Sequence, residues 1–350
     1  MTSLSGDVEH RAAQGGDAGN RHVTIYDVAA DAGVSPSTVS RAFARPGRVS
    51  PETSRRIHEA AARLGYRTVE IYRPPTSRTK SQMIGLLVSD VTNPFYFGII
   101  RGAERATEPA GYSLVLIDAE ESAATEKSAL ERVIPAVDGL LVASSRISDN
   151  DLRSVAKRVP VILLNRSMRS VPSVIPDTQS GVTEAVALLA SLGHRRVCYV
   201  AGPAASWADG ARWRAFSKAI SGAGLVGHRL GPVKPTVMGG EEVAHELVAT
   251  HCTAALAYND LVAIGLMRGL GRLGFTVPHD LSVIGFDNTF ATYLVTPGLT
   301  TIAAPLGLLG QRGTDAVLYL IGGGSFDQSG PMVVPVKLIV RGSTGPAQSR

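Results

Sequence analysis

The stretch Gly33 to Phe43, GVSPSTVSRAF, crowds four hydroxyl side chains into a segment whose apolar spacing is that of a helix. Ser35 can accept hydrogen bonds from the backbone N–H groups two and three residues later, and Pro36 suits the first helical position, where an N–H would have no partner. The sequence therefore predicts a helix that begins at Ser35. Its inward face carries Val39 and Phe43, four residues apart. Its outward faces carry short, hydroxylic or basic side chains: Pro36, Ser37, Ser40 and Arg41.

One helix is predicted before this one and another after it. The segment TIYDVAADAG (Thr24 to Gly33) opens with a capping residue, has an Asp three residues later, repeats apolar residues at helical spacing and stops at a glycine. Ser50 and Pro51 repeat the start signal for a helix that ends at Gly65. Helix, glycine-containing turn and helix are typical of a helix-turn-helix, whose second helix lies in the major groove of DNA.

The hydroxyl-rich helix has a chemical rationale in such a motif. Small hydroxyl side chains let a helix approach the duplex closely and donate to phosphate oxygens, and Arg41 can form a bidentate pair with guanine. The alternative is a surface helix with a capped start and no partner. Charge favours DNA, because residues 21–80 hold eleven Arg and Lys against five Asp and Glu, whereas the whole chain has a formal charge of only +5. Such a local excess is typical of phosphate binding, with a solvated basic face as the alternative.

The segment Val23 to Arg67, VTIYDVAADAGVSPSTVSRAFARPGRVSPETSRRIHEAAARLGYR, resembles the DNA-binding headpiece of the lactose-repressor (LacI/GalR) family of bacterial transcription regulators. The resemblance implies three base-reading residues: Pro36, Ser37 and Arg41. It also implies residues at or beside phosphate contacts: Thr24, Ser35, Thr38, Ser40, Arg48 and Ser50. Ala44 differs from the family, in which Asn is usual at that position.

The linker after the headpiece departs most from the family. Members usually carry here a short helix that forms on DNA and wedges a Leu into the minor groove. Arg67 to Gln82, RTVEIYRPPTSRTKSQ, instead places Pro75 near that position, with Pro74 beside it. Because proline is excluded from a helix interior, any helix must end before Pro74. Two roles stay open: a basic tether, which we favour, and an extended segment in which Pro75 is the wedge and Arg73 helps to bind the minor groove.

From Ile84 onward, short apolar runs alternate with segments of helix length. The runs are IGLLVSD, YSLVLID, VDGLLVAS, VPVILLN, RRVCYVAG, AALAY, LSVIGFD and LTTI. Continuous apolar strands separated by helices predict an α/β fold with parallel, doubly wound sheets in two halves. Ligands of such sheets bind beyond the carboxyl ends of the strands. The residues that close the strands are therefore candidates: Asp90 to Tyr96, Asp118, Ser144, Asn165, Gly202, Asn259, Asp260 and Asp287.

This region also resembles the LacI family, in NPFYFGIIRGAE, LGHRRVCYVAGP, ARWRAF, YNDLVAIGLM, VPHDLSVIGFDN and PGLTTI. The resemblance implies a periplasmic-binding-protein-like effector domain, with a small molecule between two subdomains. By motif, Phe95 and Tyr96 would form an aromatic wall and Arg212 and Asp287 would be polar anchors. Weaker or supporting contacts are implied for four residues: Ser144, Asp177, Ser206 and Asn259.

A sugar or similar polyol fits these side chains. An Arg fork and carboxylate oxygens serve the donor and acceptor sides of vicinal hydroxyls, while an aromatic wall covers the ring. Taken singly, each residue has a structural alternative, since Asp287 could cap a turn, Arg212 could be solvated and Phe95 and Tyr96 could belong to the core. The segment TVMGGEEVAHEL lacks the aromatic residue with which many members cover the ligand, so the identity of the effector is open.

We predict a tail at 1–22, a headpiece at 23–67, a linker at 68–82, an effector-binding and dimerisation domain at 83–343 and a tail at 344–350. The subdomains are expected at roughly 83–165 plus 290–322, and at 166–289 plus 323–343. The crossings between them follow from the family fold.

Other function classes find little support in the sequence. No apolar run approaches 18 residues and the N-terminal segment lacks the core of a signal peptide, which predicts a cytoplasmic protein without a membrane partner. Cys198 and Cys252 lack metal-site spacing and are interpreted as reduced, structural thiols. The motifs G-x-S-x-G and H-E-x-x-H and a phosphate-binding loop are missing, which predicts a non-enzyme without cofactor or metal. An enzyme on this fold and an exported solute-binding protein are the alternatives.

These observations together predict a repressor of carbohydrate-use genes. We expect it to bind pseudo-palindromic operator DNA as a homodimer or tetramer, under the control of a sugar-like effector. Two questions stay open at this point: which operator it recognises, and whether the effector releases or promotes DNA binding.

Overall fold

The computed structural model describes residues 23–44, 49–64, 80–326 and 330–348 of the 350-residue chain. Two compact units divide it, Met1–Arg78 and Thr79–Arg350, and each is described by itself. The first unit has three helices: α1 (Ile25–Ala32), α2 (Pro36–Ala44) and α3 (Pro51–Leu64). Their apolar faces form one small core around the fully buried Val28, Val39 and Ile57, and Phe43 packs against it as predicted.

The helix boundaries predicted for this unit are confirmed by the hydrogen bonds at their starts. Ser35 Oγ accepts from the Thr38 N–H at 3.2 Å, and Ser50 Oγ accepts from the Thr53 N–H at 3.3 Å. Helix α1 ends at Gly33, whose φ of 64° lies in the left-handed region that favours glycine. Gly65, the predicted end of α3, lies outside the described residues.

The second unit contains two six-stranded sheets. The first has the order β11-β5-β4-β3-β1-β2 and is parallel throughout; the second has the order β12-β10-β9-β8-β6-β7, with β12 antiparallel to β10. The first sheet consists of β1 (Met83–Val88), β2 (Ser113–Asp118), β3 (Gly139–Ala143), β4 (Val161–Leu164), β5 (Ser173–Pro176) and β11 (Met332–Val334). The second consists of β6 (Arg196–Val200), β7 (Val226–Leu230), β8 (Ala254–Ala257), β9 (Ser282–Asp287), β10 (Thr300–Ala303) and β12 (Lys337–Ile339).

Each sheet is sandwiched between helices and forms a subdomain with its own core. We call the first sheet and its helices the first subdomain, and the second sheet and its helices the second subdomain. The first contains α4 (Phe95–Thr107), α5 (Ala123–Val133), α6 (Asp149–Ala156) and α11 (Leu306–Ile321). The second contains α7 (Thr178–Ser191), α8 (Trp207–Gly222), α9 (Val237–Ala249) and α10 (Asp260–Arg272). Short 3₁₀ helices lie at Glu108–Ala110, Ile134–Ala136 and Phe290–Tyr293.

The sheets divide the strands differently from the predicted subdomain ranges at three places. Strands β5 and β11 lie in the first sheet, although the prediction gave their residues to the second subdomain. Strand β10 lies in the second sheet, although the prediction gave it to the first. Each predicted boundary lies just before one of these strands. In the structure the chain first completes the strand in the sheet it has been forming, and only then passes to the other subdomain. The crossings therefore fall between β5 and α7, between β10 and α11, and between β11 and β12.

Glycines bring two pairs of helices into close backbone contact. Helices α4 and α11 pack so tightly that a Cβ on Gly102 would overlap the carbonyl oxygen of Gly307. Helices α9 and α10 meet in the same way, since a Cβ on Gly265 would overlap the carbonyl oxygen of Val237. The two cysteines, Cys198 and Cys252, are free and buried in the core of the second subdomain. In the described part of the chain, none of the helices has the length and apolar character needed to span a membrane.

Candidate effector pocket and DNA interface

A pocket lies between the two subdomains, where the carboxyl ends of strands from both sheets face each other. About 260 Å³ of space lies between its walls, part of it open to solvent. The first subdomain contributes Asn93, Phe95, Tyr96, Glu121, Ser144, Arg146 and Asn165. The second subdomain contributes Arg212, Pro235, Tyr258, Asn259 and Asp287. We call this space the cleft pocket.

Backbone strain is concentrated at its edge. Nine non-glycine residues in the described ranges have a left-handed φ, between 50° and 109°. Six of them follow or close strands on the pocket side: Glu120, Glu121, Ser144, Asn165, Asp287 and Asn288. Such conformations cost about 1–3 kcal/mol each and persist only where the surroundings enforce them, so their clustering points to a binding site.

Arg212 and Asp287 form the charged centre of the second subdomain's wall. Arg212 Nη2 lies 3.0 Å from Asp287 Oδ1, and Arg212 Nη1 donates to the carbonyl oxygen of Tyr258. The guanidinium carbon also lies 3.7 Å from the centre of the Phe286 ring. Both charged side chains are almost completely buried. The pair thus joins helix α8 to strand β9. Among the described residues, Arg212 Nε has no hydrogen-bond partner.

A second carboxylate, Asp260, lies behind Asp287 and supports the loop that follows β9. Its oxygens accept from the Thr289 N–H at 2.7 Å and from the Thr301 hydroxyl at 2.6 Å. Burial raises the pKa of Asp287 above its ordinary value; Arg212 opposes this shift and Asp260 adds to it. Burial likewise raises the pKa of Asp260. Arg212 is thus shared by two buried acids, of which only Asp287 lines the pocket.

The aromatic part of the pocket comes from the first turn of α4. Phe95 and Tyr96 are buried and their rings meet edge to face, with centroids 5.0 Å apart. Asn93 fixes the start of this helix, because its Oδ1 accepts from the Phe95 N–H at 3.0 Å. Burial raises the pKa of the Tyr96 hydroxyl, against the effect of Arg146 and of hydrogen bonds to Ser144 and Ser89. Tyr96 is therefore a neutral wall residue with a polar edge.

The ends of β3 and β4 are joined by a side-chain hydrogen bond. Asn165 Nδ2 donates to Ser144 Oγ at 2.9 Å, and both residues have left-handed backbones. Beside them lies an ion pair that the sequence did not predict, in which Arg146 Nε is 2.8 Å from Glu121 Oε2. Arg146 follows β3 and Glu121 follows β2, each by three residues. The first wall thus has its own charged pair.

The structure brings six of the eight predicted effector residues to the cleft pocket: Phe95, Tyr96, Ser144, Arg212, Asn259 and Asp287. It places Asp177 elsewhere, as the cap of α7, where its carboxylate accepts from the Ser180 N–H at 3.1 Å. Ser206 does not line the pocket, but its Oγ lies 3.0 Å from the hydroxyl of Tyr258, which does. Four lining residues were not predicted: Glu121, Arg146, Pro235 and Tyr258.

The candidate DNA-reading surface is the exposed side of α2 and its start. Ser35 Oγ lies 3.0 Å from Ser37 Oγ and 2.8 Å from Thr38 Oγ1, so the hydroxyls form a connected group at the helix N-terminus. Arg41 lies one turn later and donates to the carbonyl oxygen of Ser37 at 3.1 Å. Ser37, Ser40 and Arg41 are exposed, which leaves these side chains accessible to a duplex.

The other predicted DNA contacts divide into two groups. Thr24 caps α1, with Asp27 Oδ2 accepting from its N–H at 2.7 Å, and both Thr24 and Ser50 are exposed. Arg48, Arg73 and Pro75 lie outside the described residues, as does most of the predicted linker. Their assignments stay predictions from the sequence.

Comparisons with known proteins agree with both units. The family described as "Bacterial regulatory proteins, lacI family" matches residues 24–68, and "Periplasmic binding proteins and sugar binding domain of LacI family" matches residues 81–340. The HTH-type transcriptional repressor CytR of Escherichia coli (strain K12) is 32% identical, over 92% of this chain and 96% of its own.

Solved structures give the same result. A LacI family transcriptional regulator from Enterococcus faecium with bound ribose matches with a TM-score of 0.68 and 30% identity, over 76% of this chain and 100% of that one. The lac repressor dimer bound to operator and the anti-inducer ONPF matches with a TM-score of 0.68 and 28% identity, over 93% and 100%. This chain therefore belongs to the lacI family of bacterial regulatory proteins, as a transcriptional regulator with a helix-turn-helix headpiece and a sugar-binding domain of the periplasmic-binding-protein type.

Proposed function

We propose that this protein represses genes of carbohydrate use, and that a small sugar in the cleft pocket controls its affinity for operator DNA. The observation that carries the proposal is the composition of that pocket, in which the Arg212–Asp287 pair faces the space bordered by Phe95 and Tyr96. A guanidinium donates to hydroxyl oxygens, a carboxylate accepts from hydroxyl groups, and aromatic rings cover the apolar face of a sugar. The relative from Enterococcus faecium holds ribose, which supports an effector of this class.

The remaining pocket residues have supporting roles in this proposal. Asn259 and Ser144 offer further hydrogen-bonding groups at the carboxyl ends of β8 and β3. Ser206 acts indirectly, by holding the hydroxyl of Tyr258, and Asp177 acts as the cap of the helix that follows a chain crossing. The effector shifts the protein between two arrangements of the subdomains only as far as its affinities for them differ.

On DNA, we infer that two copies of the chain place their α2 helices in successive major grooves of a pseudo-palindromic operator. The lac repressor dimer bound to operator supports this arrangement. Pro36, Ser37 and Arg41 would meet base edges. The phosphate contacts would come from Thr24, Ser35, Thr38, Ser40, Arg48 and Ser50. Arg73 and Pro75 would belong to the linker, which acts as a basic tether on the DNA.

The proposed division of the chain is a headpiece at 23–67, a linker at 68–82 and an effector and dimerisation domain at 83–343. The family matches at 24–68 and 81–340 support these boundaries. We further propose that the protein acts by binding alone, without catalysis or a cofactor, in the bacterial cytoplasm where the chromosome lies. The regulators among its relatives support that view.

The test is to select binding sites from random duplexes and then titrate the selected duplex with sugars. We expect the selected sites to be pseudo-palindromes, and at least one monosaccharide to change operator affinity in fluorescence anisotropy. The same sugar should stabilise the protein, by about 2.7 kcal/mol at one hundred times its Kd. Selection of sites without two-fold symmetry would reject the dimeric operator complex. A sugar that stabilises the protein but leaves operator affinity unchanged would reject effector control.

A further inference from the structure

The first wall of the cleft pocket carries a bidentate ion pair whose role has not been assigned above. Arg146 Nε lies 2.8 Å from Glu121 Oε2, and Arg146 Nη2 lies 3.0 Å from Glu121 Oε1. Arg146 Nη1 donates in addition to the carbonyl oxygen of Ser144 at 2.8 Å. The Arg146 side chain is 4% exposed and that of Glu121 is 23% exposed. Arg146 is thus sequestered at the wall, and Glu121 is the more accessible partner.

The surrounding structure fixes this pair in place. The buried carboxylate of Glu126 accepts from the Arg146 N–H at 2.8 Å and from the Ser145 hydroxyl. On the other side, Glu121 has a left-handed φ of 54° and its N–H donates to the carbonyl oxygen of Ser89. These two bonds fix the backbone of Arg146 and of Glu121 before a ligand arrives, and a backbone fixed at both residues gives the pair the preorganisation that binding sites require. An ordinary surface ion pair needs no such support.

The two walls of the pocket have matched charges. The second wall holds the Arg212–Asp287 pair and the first wall holds the Arg146–Glu121 pair. Among the described residues that line the pocket, these four are the only formally charged ones. Arg146 is paired with Glu121, and Arg212 is shared between Asp287 and the buried Asp260 behind it, so each guanidinium already has an acidic partner. An anionic ligand would therefore find no free cation and would lie close to two carboxylates.

We propose that Glu121 and Arg146 are the specificity-determining residues of the cleft pocket, which select an uncharged polyhydroxylated ligand and exclude phosphorylated or acidic sugars. The proposal rests on the sugar-binding role proposed above. A hydroxyl of the ligand donates to Glu121, and a hydroxyl oxygen accepts one of the N–H groups of Arg146 that is not bonded to protein. The exclusion is electrostatic, because burying an additional negative charge without a counter-charge is costly.

Glu121 and Asp287 both line the cleft pocket, one on each of its two walls. A phosphate group bound between the walls would therefore lie near at least one of these acidic side chains. Size alone would also disfavour a phosphate, so the experiment must separate charge from volume.

The experiment measures binding of four uncharged sugars and their monophosphates by calorimetry: D-ribose, D-glucose, D-galactose and D-fructose. The variants are Glu121→Gln, Arg146→Gln, their combination, and Glu120→Gln as the matched control. Glu120 is the adjacent acid, also left-handed, but exposed and outside the pocket lining. Thermal melting of each variant checks that it is folded.

In the wild-type protein we expect the best uncharged sugar to bind at least tenfold more tightly than its phosphate. Glu121→Gln keeps the volume of the side chain but removes the negative charge that pairs with Arg146. The preference for the uncharged sugar over its phosphate should therefore shrink at least tenfold or reverse. Arg146→Gln should weaken binding of the uncharged sugar at least tenfold, and it should not increase the affinity for the sugar phosphate. The double variant should bind the uncharged sugar more weakly without binding the sugar phosphate more tightly. The control Glu120→Gln should bind both ligands as the wild-type protein does.

Three results would overturn the proposal. A wild-type preference for a phosphate would do so while leaving the sugar-effector function intact. An unchanged preference in Glu121→Gln would show that exclusion is by volume and that the pair is structural. If no sugar of the panel binds or changes operator affinity, the proposed function fails and this inference fails with it.

Discussion

Arg212 Nη2 lies 3.0 Å from Asp287 Oδ1, and both side chains are buried to at least 96%. The first belongs to helix α8 and the second ends strand β9, so the pair ties two elements of the second subdomain at the wall of the cleft pocket. Removing Asp287 leaves the buried Arg212 without its paired carboxylate, so that only Asp260 still opposes its charge. This pair therefore affects both stability and ligand binding.

Asp287→Ala is expected to lower the free energy of unfolding of the effector domain by about 3–5 kcal/mol, the usual cost of breaking a buried pair. Asp287→Asn keeps the shape and should cost less. Both variants should lose the effect of the ligand on operator affinity while still binding operator, because the headpiece is a separate unit. Denaturant unfolding and fluorescence anisotropy measure the two effects.

The control for this prediction is an ion pair whose two side chains are exposed. Glu131 lies 2.6 Å from Arg158 with both side chains exposed, so Glu131→Gln should leave unfolding and ligand response nearly unchanged. A ligand response in Asp287→Asn at unchanged sugar concentration would show that this carboxylate is not an anchor.

The affinity for a sugar is expected to rise with pH. Burial raises the pKa of Asp287, with Arg212 opposing the shift and Asp260 adding to it, so part of the empty protein carries a protonated Asp287 near neutrality. Sugar hydroxyls that donate to the carboxylate bind the ionised form. Binding should therefore release protons, and affinity should fall as the pH drops through the raised pKa. The stability of the unliganded protein has the opposite pH dependence. The folded state holds this proton more tightly than the unfolded chain does, so the free energy of unfolding falls as the pH rises from the ordinary pKa of an aspartate towards the raised one.

Calorimetry in two buffers of different ionisation heat measures the proton release directly. Asp287→Asn should abolish it. Proton release that persists in this variant would assign the effect to Asp260, the other buried acid facing Arg212, whose pKa burial also raises.

Most of the sheet structure could be predicted because parallel strands buried on both faces have continuous apolar sequences. All eight predicted runs are strands. The four missed strands are short or lie at sheet edges: β5, β7, β11 and β12. Strand β7, Val226–Leu230, contains His228 and Arg229 and is largely exposed, so its sequence lacks the apolar signal. Strand β12 has only three residues and pairs antiparallel to β10.

The pocket was predictable where a motif or a strand end carries the residue. Arg212 and Asp287 were found through resemblance, and Asn165 as the residue that closes β4. Arg146 and Glu121 were missed because each lies three residues beyond its strand, in a loop whose course the sequence does not determine. Opposite charges at the same distance beyond β2 and β3, the two strands that flank β1, are a signal that could have paired them. Asp177 was misplaced because helix capping and ligand binding favour the same residue type.

Helix contact through glycine gives a stability prediction. Gly102→Ala would force apart α4 and α11, where a Cβ overlaps the carbonyl oxygen of Gly307, and should destabilise the first subdomain by about 1–3 kcal/mol or more. Gly271→Ala is the matched control, because no atom of the described residues lies within 4 Å of a Cβ built on this helical glycine of α10. It should be neutral or stabilising by up to about 1 kcal/mol. Equal effects of the two variants in chemical denaturation would contradict the packing argument.

Arg41→Ala is expected to weaken binding to the selected operator by about 1–3 kcal/mol and to relax the preference at one base pair of each half-site. The physical reason is the position of Arg41, exposed on α2 one turn after the serine-rich start, where its guanidinium can reach a guanine edge. Arg55→Ala is the control, since Arg55 is an exposed arginine of α3 that pairs with Glu59 at 3.0 Å. Arg55→Ala should weaken binding less than Arg41→Ala does, and equally for all DNA sequences.

Anisotropy titrations on the operator and on random duplex, at several salt concentrations, distinguish base reading from phosphate contact. A phosphate contact changes the salt dependence of binding on both DNAs. An equal loss of affinity for operator and random DNA in Arg41→Ala would show that Arg41 contacts phosphate alone and reads no base.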